Sequence, residues 1–164
     1  RENKINNYMH KCSRRVIDLL KEEFVSEVFI GHNEGWKQEI NIGKKNNRDF
    51  VELPFNKFIH MLQYKGELEG IEVKLTEEAY TSKASAVDKD QLFKYGKKPD
   101  DYKFSGVRTH RGQYKTKDGI LCNADSNGAF NILRKCNPAI DSLKDYRLVV
   151  MGCVAHPEYV RFDV

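Results

Sequence analysis

Much of what would classify this 164-residue sequence is missing from it. Its four cysteines, Cys12, Cys122, Cys136 and Cys153, form no C-x-x-C pair, so neither a zinc ribbon nor a thioredoxin-type redox site is indicated. They read instead as reduced, mostly buried residues of an intracellular protein. No apolar run approaches the length of a membrane span, no signal peptide is visible, and no membrane partner is expected. Neither sign of charge dominates. The net charge of +4 permits nucleic-acid binding without demonstrating it. There is no internal repeat, and the first residue is Arg1 instead of Met, so a piece of a longer protein is expected. What remains is 40% hydrophobic and 32% charged, a globular composition. The length suits one domain with a real core and is too short to expect two.

The elements follow from periodicity. Ile5, Tyr8, Met9, Cys12, Val16, Leu19 and Leu20 recur at helical spacing and predict an amphipathic helix over residues 1–23. "VSEVFIG", 25–31, is a β-branched and aromatic run ended by glycine, and predicts a buried strand. A polar loop with "GHNEGW" and "GKKNN" follows. Pro54 then opens a second helix with Phe55, Phe58, Ile59 and Leu62 on one face and Gly70 just past its end. "IEVKL", 71–75, alternates and predicts a second strand; a further helix is expected over 125–136. This order predicts an α/β layer with at least one parallel pair. Trp36 and the Phe55/Phe58 face read as core in preference to base platforms. The tail, 139–164, holds a strand-like "RLVVM".

Residues 83–121 are irregular, with turn signals throughout, and "GQYK" and "GILC" are expected to pair as a small hairpin. Residues 94–117 hold eight Lys or Arg against two acids, with Tyr95, Tyr102, Phe104 and Tyr114 interleaved. A solvated surface insert is one reading. Cations interleaved with aromatics also suit phosphate contact plus base stacking, for which Arg108, Arg111 and Lys115 are the named candidates. Arg108, His110 and Arg111 suit phosphate contact, with isolated surface charge the close alternative. His10 and His32 lack ligand spacing and are assigned to no metal.

Carboxylates on separate elements are the other possible chemistry. Phosphodiester cleavage by two metal ions needs them to converge on cations about 4 Å apart. In an open α/β sheet the usual place lies beyond the carboxyl ends of adjacent strands. The first strand ends at Gly31, which offers no ligand. The second runs into "TEEAYTS", placing Glu77 and Glu78 at its end, and Asp125 stands at a helix start. Spacing alone favours the plainer reading, in which the glutamates are surface charges and Asp125 is an N-cap.

Three motifs shift that balance. "NADSNGAFNIL" at 123–133 resembles the last RuvC motif of the TnpB (OrfB) family of transposon-encoded RNA-guided nucleases, through Asp125, Asn127, Gly128, Ala129, Asn131 and Ile132. "YTSKAS" at 80–85 is similar to the Thr-Ser segment after the last strand of that domain. "HKCSRRVIDLL" at 10–20 is similar to the His-Lys-x-Ser helix that precedes the strand of the second RuvC motif. They fall in the family's order, and the resemblance covers most of residues 1–136. It implies the C-terminal portion of an RNase H-like (RuvC) α/β fold. The RuvC segment would be 1–82, an insert at the zinc-ribbon position 83–121, the last RuvC helix 122–137 and the C-terminal tail 138–164.

The resemblance also implies a magnesium-dependent DNA endonuclease, manganese being an alternative metal. Its partners would be DNA and a guide RNA, in the cytoplasm of a bacterium carrying an insertion sequence. Asp125 then corresponds to the family's last metal-binding aspartate. Two departures stand out. Gly31 replaces the usual glutamate of the second motif, so Glu78 is taken as its substitute. Glu77 is the weaker candidate because successive strand residues face opposite sides, and Glu34 is a third, in a loop. The family's four-cysteine ribbon is also lost, so no zinc is expected and packing must hold the insert. The family's first aspartate would precede Arg1, which leaves this fragment inactive by itself. A nuclease-dead, RNA-guided DNA-binding regulator is the alternative function.

Overall fold

Residues 2–32, 54–110 and 112–155 are described by the structure, a computed structural model. Helix α1 (Glu2–Glu22) leads to strand β1 (Glu27–Gly31), and helix α2 (Phe55–Leu68) leads to β2 (Glu72–Thr76). Strands β3 (Val107–His110), β4 (Gln113–Lys115) and β5 (Leu121–Asn123) follow, then α3 (Ala124–Cys136), a 3-10 turn (Pro138–Ser142) and α4 (Tyr146–Ala155). The architecture is mixed α/β with two small sheets, ordered β1-β2 and β3-β4-β5.

Where the length suggests one domain, the described chain divides into two units, residues 2–30 with 54–75, and 31–32 with 76–155. Each has its own apolar cluster. The first is built on Ile17, Leu62 and Ile71, with Val16, Val28, Ile30 and Phe58 packed against it. The second gathers Ala86, Tyr114, Cys122, Phe130, Tyr146, Val150 and Val154, which draws the β3–β5 sheet, α3 and α4 together.

In the first unit, α2 buries Met61, Leu62, Lys65 and Gly66. The buried face is thus centred one turn later than Phe55, Phe58 and Ile59 suggest. Gly66 explains the shift: a Cβ there would stand 2.8 Å from the Ile71 carbonyl oxygen and 3.0 Å from Val73. Only glycine lets the chain fold back so closely. Lys65 is buried because its ammonium donates to the His10 carbonyl and to Ser13 Oγ, both at 2.7 Å. Burial lowers its pKa from the ordinary value. The serine of the "HKCS" motif is therefore an internal acceptor for a buried lysine. Strands β1 and β2 run parallel, as expected: Glu72 N–H donates to the Ser26 carbonyl near their start, and His32 N–H to the Thr76 carbonyl at their end.

In the second unit the expected hairpin forms between β4 and β5, with Tyr114 opposite Cys122. Strand β3 joins its other edge. The strand-like "RLVVM" is instead part of helix α4. A five-residue apolar run does not distinguish the two states, whereas Tyr146, Val150 and Val154, spaced four apart, all point inward. The cysteines are all free, but only Cys12 and Cys122 are buried; Cys136 is half-buried and Cys153 exposed, which corrects the mostly buried expectation. Among the described residues, no helix is long and apolar enough to cross a membrane.

Candidate metal and nucleic-acid site

The start of α3 places Asp125. Asn123, in extended conformation, is the N-cap: its Oδ1 accepts from Asp125 N–H at 3.0 Å and Ser126 N–H at 2.8 Å. The plainer reading of Asp125 as the cap is thereby corrected. Its carboxylate stands in the first turn of α3, 79% exposed, with the helix dipole favouring its negative charge. Its partner is Arg108 on β3, with Nη2 3.2 Å from Oδ1.

The two asparagines of the same motif turn inward. Asn127 accepts from Ala86 N–H and donates to the Ala84 carbonyl, both at 2.9 Å. Asn131 donates to the carbonyls of Thr81 and Ala84, and accepts from Arg134. The "TSKAS" segment is thus fastened to α3 by side-chain amides that copy backbone hydrogen bonding.

The neighbouring glutamates have different surroundings. Glu77 accepts from Tyr95 N–H at 2.9 Å and from Lys135 Nζ at 2.7 Å. Burial works against its charge, but these hydrogen bonds outweigh it and hold its carboxyl below the ordinary range. Glu78 faces Gly31. A Cβ on Gly31 would lie 2.5 Å from Glu78 Oε2, 2.7 Å from Ile132 Cδ1 and 2.9 Å from Glu78 Cβ. The volume into which a side chain at position 31 would emerge is filled by the carboxylate of Glu78. Ile132 and Asp125 lie two turns apart on one face of α3, and helical side chains lean toward the N-terminus, the end where Asp125 stands.

Glu78 and Asp125 supply oxygen donors of the kind magnesium takes, but not a complete set. Among the described residues, no group of three or more His, Cys, Asp or Glu is placed to hold a metal ion. Glu34 and Arg111 lie outside the described residues. Lys115 is exposed on β4, where the register pairs it with Val107 and pairs Arg108 with Tyr114; alternation then puts Arg108 and Lys115 on opposite faces of the sheet.

Asp88 and Asp90 were missed by sequence reasoning. Asp90, almost wholly buried, accepts from Ser85 N–H at 2.7 Å and from Ser105 Oγ at 2.7 Å. Asp88 accepts from Ser85 Oγ at 2.6 Å and Lys117 N–H at 3.0 Å. The available signal was the S-x-x-D spacing of Ser85 and Asp88, which repeats that of a C-x-x-C knuckle.

Residues 55–132 match the model of the family described as Cas12f1-like, TNB domain. The chain is also similar in fold to a chain in the cryo-EM structure of the Cas12f1–sgRNA–target DNA complex, with a TM-score of 0.54 and 21% identity. That likeness covers 80% of this chain and 34% of the other, so this chain spans about a third of its neighbour's length. None of the curated proteins matches. The family match thus covers a little under half of the chain, and the likeness to the Cas12f1 chain is one of fold.

Proposed function

We propose that this chain is the C-terminal part of a transposon-associated, RNA-guided DNA endonuclease with an RNase H-like (RuvC) domain, in which Glu78 and Asp125 hold magnesium. The observation that carries the reading is the division of labour at α3. Asn123 does the capping, which leaves the Asp125 carboxylate directed outward at a helix N-terminus. Glu78 occupies the side-chain space of Gly31 and so stands in for the missing glutamate. The remaining ligand comes from the rest of the parent protein. When bound, magnesium supplies activation of water and stabilisation of the leaving oxygen. Arg108, now paired with Asp125, is placed to hold a phosphate of the strand beside that carboxylate.

In the full-length protein, Glu78→Gln and Asp125→Asn are each expected to abolish DNA cleavage while guide and target binding persist. Cleavage by Glu78→Gln at the parental rate, with Glu34→Gln inactive, would reject the assignment. The regulator is the second reading, favoured by the glycine at position 31. It prevails if the unmutated full-length protein binds its target but never cuts with magnesium or manganese.

A further inference from the structure

The turn "KYGKK", residues 94–98, belongs neither to the carboxylate site nor to the β3–β5 sheet. Tyr95 at its tip is 76% exposed. Its backbone is nevertheless fixed. Tyr95 N–H is held by Glu77, whose carboxylate is in turn gripped by Lys135. Lys97 N–H closes the turn on the Lys94 carbonyl at 3.0 Å. Gly96 has φ +70°, a conformation that a side chain would strain. On either side of the turn in sequence, Phe93 and Tyr102 meet edge to face with ring centroids 4.8 Å apart, which anchors the segment. Lys94 and Lys97 make no ion pair among the described residues. The turn therefore presents an exposed aromatic ring on a hydrogen-bonded backbone, flanked in sequence by two lysines without an ion pair among the described residues.

We infer that Tyr95 is a base-stacking residue for single-stranded nucleic acid, with Lys94 and Lys97 on the flanking phosphates. An apolar protein partner would meet two lysine charges beside the ring. A strand offers a π-face for the ring and phosphates for the ammonium groups, and the excess of cations over residues 94–117 is complementary to it. Glu77 then acts as a positioning residue for this turn and not as a metal ligand. The inference rests on the nucleic-acid reading above and adds the contact.

The test is fluorescence anisotropy of the chain with labelled single-stranded DNA and RNA oligonucleotides, over a range of salt concentrations. A parallel series carries 2-aminopurine as the base. Tyr95→Ala is expected to weaken binding about ten-fold and leave the salt slope unchanged, whereas Tyr95→Trp retains affinity. Lys94→Ala with Lys97→Ala should reduce the slope by roughly 0.7 for each lysine removed. 2-Aminopurine quenching should be seen with the parent chain and lost in Tyr95→Ala. Comparing the DNA and RNA arms identifies the strand. Parental affinity and quenching in Tyr95→Ala would overturn the inference while leaving nucleic-acid binding intact. Failure of the unmodified chain to bind either oligonucleotide would overturn both.

Discussion

At the scale of single residues, Gly31 and Glu78 form a pair in which one exists because of the other. Adding a methyl group at position 31 drives it into the Glu78 carboxylate and Ile132. Gly31→Ala should therefore cost about 1–3 kcal/mol of stability, as overpacking does. In a Glu78→Ala background the cost should shrink. Urea midpoints around the four-member cycle measure the coupling, and equal costs in both backgrounds would refute it. Tyr146 offers a second residue-scale test. Burial raises its phenol from 10.0 to about 12, and burial also raises the Cys122 thiol. The unfolded chain therefore releases its phenolic proton first, so this stabilisation is intact below pH 10 and is lost as pH rises from 10 toward 12. Tyr146→Phe should flatten the alkaline decline in that window, while costing about 1 kcal/mol at neutral pH through the lost hydrogen bond to the Ala86 carbonyl. An unchanged alkaline slope in the urea midpoints would count against this assignment. Of these relations the sequence disclosed only part. "NAD" offers two capping side chains in three residues, and the choice of Asn123 over Asp125 depends on backbone angles.

At the scale of elements, the long periodic segments were legible. Helices α1, α2 and α3, the parallel pair and the β4–β5 hairpin fall within a few residues of where spacing puts them. Strand β3 was not, because all four of its residues are exposed and no alternation marks them. Helix α4 was misread because its apolar run is shorter than one and a half turns, and its inward face shows only with Val154 included. The bond between α3 and the "TSKAS" segment is also invisible in sequence, being a matter of which asparagine faces which carbonyl. It predicts that Asn131→Ala, which strips partners from the Thr81 and Ala84 carbonyls and from Arg134, costs about 2–4 kcal/mol. Hydrogen exchange should show faster opening at the amides of residues 84–86. Unaltered exchange there would mean that the segment is held by something else.

At the scale of the whole molecule, the insert is integrated by hydrogen bonds to carboxylates. Elemental analysis after dialysis is expected to find no stoichiometric zinc, and a chelator should leave the thermal midpoint unmoved. About one zinc per chain, or a midpoint that drops with the chelator, would contradict this. Asp90→Ala, by contrast, should remove about 1–3 kcal/mol, chiefly because it strands the buried Ser85 N–H, and it also frees the exposed Ser105 amide and hydroxyl. These hydrogen bonds differ in kind from a metal knuckle. A cysteine knuckle must wait for a scarce cation before it folds, and it loses its grip when oxidants or competing chelators reach the thiolates. Ser85, Asp88 and Asp90 arrive with the polypeptide and carry no thiol, so these particular contacts can form as soon as the chain is made, without a cation or a thiolate of their own.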